Sequence, residues 1–126
     1  MAYFLVVLTQ REPNALDLAD SMVVADESLW VRAAGDDRLV QLCDESDRVL
    51  VSIEEAQRVE VEGEVERLLG DRVTAGLAIP YWWMEAWVPD DAPDGPAVAH
   101  RFAAELISRL GGAVWPPAPP EPPEPT

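Results

Sequence analysis

The segment Pro96–Leu110 constrains the fold most. Val98, Ala99, Phe102, Ala103, Leu106, Ile107 and Leu110 recur there at helical spacing and cover about half of the circumference. Pro96 suits a first helical turn, Asp94 is a candidate cap, and Gly111-Gly112 ends the helix. A helix with so wide an apolar face must bury it against a second layer.

The rest of the chain supplies that layer as strands. Tyr3–Thr9 (YFLVVLT) is a β-branched and aromatic run that reads as a buried, central strand. Ser28–Ala34, Arg38–Cys43 and Arg48–Ile53 follow, separated by the short polar turns Gly35-Asp36-Asp37 and Asp44–Asp47, which favour antiparallel hairpins. Gln57–Glu62 alternates, with Val59 and Val61 on one side and Arg58, Glu60 and Glu62 on the other. Pro80–Val88 is the last long strand, and Ala113–Trp115 a short one returning after the helix. Ala15–Met22, capped by Asn14, and Glu64–Leu69 fit shorter helices. The expected fold is α+β: a single domain over residues 1–115, with an antiparallel or mixed sheet of five to six strands and the C-terminal helix packed on one face. Residues 116–126 (PPAPPEPPEPT) form a Pro-rich tail, expected to be disordered in extended polyproline II form.

Catalytic signatures are missing. The chain has no P-loop, G-x-G-x-x-G, G-x-S-x-G or H-E-x-x-H motif. The one histidine, His100, falls on the polar side of the predicted helix and is expected at the surface. The one cysteine, Cys43, ends an apolar run and is expected to be buried; alone it can form no internal disulfide. Asp44-Glu45-x-Asp47 lacks the residue order of a calcium loop. The expectation is a protein that is not an enzyme and uses no cofactor or metal. A small enzyme built on carboxylates is a third alternative. No apolar run approaches the ~20 residues of a membrane span, and no basic segment precedes an apolar one, so neither a span nor a signal peptide is expected.

Charge narrows the partners. The net charge is −15 on 126 residues, and all nine basic residues are Arg. Phosphate backbones and anionic membranes repel such a surface, so direct nucleic-acid or membrane binding is not expected. Solubility alone accounts for acidity of this kind; the functional reading is a basic protein partner found by electrostatic steering. Residues 44–71 carry seven of the fifteen net charges, and Glu60, Glu62, Glu64 and Glu66 can form a negative ridge. As a strand, Pro80–Val88 puts Tyr81, Trp83, Glu85 and Trp87 on one face and Trp82, Met84, Ala86 and Val88 on the other. Those rings can fill a core, or Glu85 between two indoles can clamp an Arg or Lys through ion-pair and cation–π contacts. The candidate partner-binding residues are Glu60, Glu62, Glu64, Trp83, Glu85 and Trp87.

The C-terminal third carries a resemblance. Trp83 and Glu85 on a strand, the helix to Leu110, and then Leu110-Gly111-Gly112-x-Val114-Trp115-x-Pro117 resemble the ends of immunity proteins of bacterial polymorphic toxin systems. The resemblance implies cytoplasmic inhibition of one cognate toxin by direct binding. The mechanism expected from the charge is occlusion, an acidic ridge filling the basic active-site cleft of a toxin domain. The alternative is a structural, adaptor or secretion accessory protein that uses the Pro-rich tail as its ligand.

Overall fold

A computed structural model of the chain describes residues 3–25, 28–34, 39–70 and 72–117. The greater part of the expected tail, from residue 118, and the expected turn at residues 35–37 lie outside the described residues. The elements run β1 (Tyr3–Thr9), α1 (Ala15–Ala25), β2 (Trp30–Ala34), β3 (Leu39–Cys43), β4 (Val49–Glu54), β5 (Gln57–Val59), α2 (Glu64–Leu69), β6 (Tyr81–Val88), α3 (Gly95–Leu110) and β7 (Gly112–Trp115).

The strands form one antiparallel sheet in the order β2-β3-β4-β6-β1-β7, with β5 also pairing β6. β4 and β5 lie along the same edge of β6, so seven strands fill six positions. Ser52 and Ile53 pair with Trp87 and Ala86, and Gln57 pairs with Trp83. Residues 54–56 therefore stand opposite only Glu85 and Met84, so one extra residue bulges out between β4 and β5. The alternation expected to run on to Glu62 stops at Val59, where the pairing with β6 ends at Tyr81.

Both faces of β1 are buried, which is why its sequence is apolar without alternation. Leu5 and Val7 pack with Met84, Ala86, Val88 and α3 residues Val98, Phe102 and Leu106. Val6 and Leu8 point to the opposite face and pack with Val65 of α2, Val73 and Tyr81. Thus α1 and α3 cover one face, while α2 covers part of the other.

The ends of the elements follow local rules. The Asn14 side-chain oxygen accepts from the Asp17 N–H at 2.8 Å, capping α1, which runs three residues beyond the expected Met22. Asp94 precedes α3 but makes no side-chain capping bond. Gly112 sits at φ 148°, and a Cβ there would lie 1.8 Å from the Leu8 carbonyl oxygen, so only glycine lets β7 close on β1.

His100 corrects the surface expectation. It is 9% exposed, and its Nε2 lies 2.6 Å from the Tyr3 hydroxyl. The buried arc of α3 is wider than the apolar stripe because the Tyr3 side chain, at the start of β1, packs against the His100 flank, with ring centres 5.9 Å apart. Burial pushes the His100 pKa down from its ordinary value, and the Tyr3 pKa up. Cys43 is buried as expected, and burial pushes its thiol pKa up as the leading effect.

Two measurements test this packing. Phe102→Ala should cost about 3–5 kcal/mol, read as a fall in the urea midpoint, because the ring is fully buried under the sheet. A histidine kept neutral in the folded state contributes stability that is present above its unfolded pKa of 6.5 and is lost as pH falls through that value. Wild type should therefore lose a fraction of a kcal/mol between about pH 7.5 and about pH 6, and His100→Gln should flatten that slope in denaturation curves.

Candidate functional site

The face of the sheet that carries α2 is only partly covered. α2 stands over Val6, Leu8 and Tyr81, and among the described residues no helix covers the same face of β2, β3 and β4. The register brings Arg32, Gln41, Ser52, Trp87 and Phe4 into one row across this open half. The Arg32 guanidinium donates to Gln41 Oε1 at 3.0 and 3.1 Å, and Gln41 Nε2 donates to Ser52 Oγ at 3.3 Å. Arg32 also lies over the Trp30 ring, 5.6 Å from its centre.

The row ends in aromatics. Phe4 and Trp87 stack at 4.9 Å with an interplanar angle of 21°, and Phe4 meets Trp115 at 6.0 Å. Trp87 is nonetheless 38% exposed. The neighbouring row holds the acids. Glu85 follows Trp83 by two residues on the same face and accepts its indole N–H at 3.2 Å. The bulge sets Glu54 beside Glu85. Burial, and after it the hydrogen-bonded Glu85 carboxyl and its charge, push the Glu54 pKa up, while the Trp87 indole N–H works the other way. Two carboxyl groups thus meet between two indoles on a half-exposed sheet face.

Trp83, Glu85 and Trp87 share this face, as the alternation of Pro80–Val88 implied, and Met84, Ala86 and Val88 turn to the helical layer. Glu64 joins them by lining one depression with Trp83, Val59 and Leu68. Glu60 does not join them. Its carboxylate is 3.0 Å from Arg58, whose strand position pairs with Trp82 on the opposite face. Glu62 lines a different pocket, with Glu66 and Tyr81. The expected ridge is therefore split by the turn into α2. Glu54, Phe4 and Trp115 belong to the surface and were missing from the sequence candidates. Only the long-range pairing of β4 and β1 with β6 brings the first two there, and no local pattern reports that pairing.

Other features have structural uses. Asp44 Oδ1 accepts from the N–H groups of Ser46 and Arg48 at 2.9 and 3.0 Å, and these bonds, led by that from Arg48, hold its carboxyl below the usual range. Among the described residues, no group of three metal-ligating side chains occurs, and no helix is long and apolar enough to cross a membrane. Comparison with protein families, with curated proteins and with solved structures finds no match.

The acid pair makes a testable claim. A carboxyl whose folded pKa is raised binds more protons folded than unfolded, so it lowers stability as pH rises from its unfolded value through its raised one. Glu54→Gln should raise stability at neutral pH, by under about 1 kcal/mol because Glu54 is exposed to screening solvent. The gain should vanish at acid pH, where both forms are neutral, in paired denaturation curves.

Proposed function

We propose that this chain is a non-enzymatic binding protein of the immunity type. It neutralises a basic toxin domain in the cytoplasm by covering the toxin's active site with the open half of its sheet. The observation that carries this reading is the Trp83, Glu85, Glu54 and Trp87 cluster on a sheet face left uncovered among the described residues. Two adjacent carboxyl groups on a molecule of net charge −15 favour a cation placed against both, and the flanking indoles offer it π faces.

The division of labour follows from physics. Long-range charge accelerates encounter, and Glu62 and Glu64, both exposed, add to that field. Trp87 and Trp83 supply large apolar contact, the kind of residue that governs dissociation. A catalytic role gains no support from the usual nucleophile and base, because Cys43 is buried and His100 is turned into the core against Tyr3.

Cell protection tests the reading. A basic toxin domain captured from the native host on the immobilised chain is co-expressed with the chain, and survival is scored. Wild type should restore growth, and Trp87→Ala should weaken the purified complex by about 2 kcal/mol or more. The association rate should fall at least about tenfold between low and high salt. A chain ending at Pro117 should protect equally well; loss of protection on that truncation would favour the adaptor alternative. Absence of any protection, or salt-insensitive association, would overturn the proposal.

A further inference from the structure

The free edge of β7 lies in an apolar groove. β7 ends the strand order, and among the described residues no strand pairs with its outer side. Ile107 of α3 forms one wall and Leu69, Arg72 and Val73 form the other, with Val114 and Trp115 between them, around a space of about 610 Å³. The Val114 side chain packs in the α3 layer with Ile107, and Trp115 in the α2 layer with Leu69 and Val73. The Gln10 N–H donates to the Gly111 carbonyl at 2.8 Å, and the register then sets Leu8 opposite Ala113, Val7 opposite Val114 and Val6 opposite Trp115. Bonded and non-bonded pairs alternate in an antiparallel ladder, so Ala113 and Trp115 bond β1, while Val114 turns its N–H and C=O outward into the groove. Gly112–Trp115 carries no charged residue to guard this edge. The electrostatics of the groove also differ from the rest of the surface. The depressions that hold Glu54, Glu64, Glu62 and Glu45 are acidic, whereas this groove is lined by Arg72 and, among the described residues, by no acid. Arg72 is exposed and makes no ion pair among the described residues.

These features fit an added strand. A peptide residue opposite Val114 exchanges two backbone bonds with it and sets its own side chain beside Val114, on the Ile107 wall. The two neighbours of that residue then point to the other wall, where Leu69 and Val73 take an apolar side chain and Arg72 an acidic one. Backbone bonds supply affinity in such an arrangement, and the two walls supply selectivity. A second copy of this chain is a poor occupant: its own Gly112–Trp115 brings no acid to Arg72, and a net charge of −15 on each copy opposes the approach. We propose that the β7 edge binds an extended apolar segment of a partner protein in which a Glu or Asp adjoins the residue opposite Val114. This goes beyond the reading above, since the Trp-rich face takes a cation and the β7 groove an acidic strand.

The test needs no toxin. The probes are the blocked pentapeptides Thr-Val-Ile-Glu-Thr and Thr-Glu-Ile-Val-Thr, which place the acid on either side of the central Ile. They are added to the ¹⁵N-labelled full chain at about 0.15 M salt, where its distant charges are screened. The Val114 amide signal should shift and saturate with at least one of the two, and its exchange with solvent should slow at least about tenfold. The Val31 amide, on the opposite edge strand β2, should not change and serves as the internal control. Methylating the nitrogen of the central Ile, a change confined to the peptide, should weaken binding at least about tenfold, because the Val114 carbonyl loses its donor. Replacing the peptide Glu by Gln, or Arg72→Gln in the chain, should each weaken binding at least about fivefold, and the two together should cost no more than either alone. Arg67→Gln, which removes the same charge from a residue outside the groove, should leave binding unchanged. The proposal falls if Val114 responds to neither peptide, or if the N-methylated peptide binds as well, which would make the groove a plain apolar pocket. It falls if Gln replaces Glu without loss. It also falls if Val114 is already protected from exchange in the free chain, since another part of the chain or a second copy would then cover the edge. Any of these failures would leave the protection experiment standing, and failed protection would leave the measured peptide affinity unchanged.

Discussion

The antiparallel pairing of β1 with β6 governs the rest of the molecule. It runs over seven positions, from Tyr3 opposite Val88 to Thr9 opposite Trp82. Because side chains alternate, this register decides at once which residues of both strands face α3 and which face α2. Shifting it by one residue would drive Trp83, Glu85 and Trp87 into the helical layer and expel Met84, Ala86 and Val88. The volume under α3 is filled by Val98, Phe102 and Leu106 against those smaller side chains, with no room for two indoles and a carboxylate. The core thus enforces the surface: the apolar half of β6 is held in, so the aromatic and acidic half stays out.

The bulge between β4 and β5 has a comparable effect over a shorter range. One extra residue lets the strand turn along β6, carries Glu54 to Glu85, and delivers the chain to the turn before α2. A continuous β4–β5 strand would keep the charges of Glu60 and Glu62 along one line, as the sequence alternation suggested. Instead Glu60 bonds Arg58 near Trp82, Glu62 turns to the Tyr81 pocket, and Glu64 borders Trp83. The acidity is distributed over several microenvironments.

Much of this was legible in the sequence, for physical reasons. The strand at Tyr3–Thr9, the helix ending at Gly111 and the two-faced pattern of Pro80–Val88 depend on local periodicity, and the structure contains all three. The sheet was expected with five to six strands, and its six lateral positions match once β4 and β5 are taken as one interrupted strand. His100 was misplaced because a helical wheel sees only its own helix, whereas Tyr3, 97 residues away in the chain, covers that flank of α3. Glu54 and Phe4 were invisible as site residues because their neighbours are thirty or more residues away in the chain. The role of the open face depends on where α2 ends, and no periodicity reports that.

The Glu54–Glu85 pair has a thermodynamic character that plain surface acidity lacks. Solvated carboxylates on an exposed helix or turn interact weakly and cost little when free. Glu54 against Glu85 holds a cost in the isolated chain, first of burial and then of the neighbouring carboxyl. A cation that relieves such a cost gains more than its bare Coulomb attraction, because the protein has already arranged and partly desolvated the acceptors. The same residues would be poor choices if acidity served solubility alone, since Gln or Ser at these points would preserve the fold with less internal conflict. Selection for solubility acts on net charge and is indifferent to where each charge sits. A carboxyl pair between two indoles is a matter of placement, and placement is what a specific cationic contact requires.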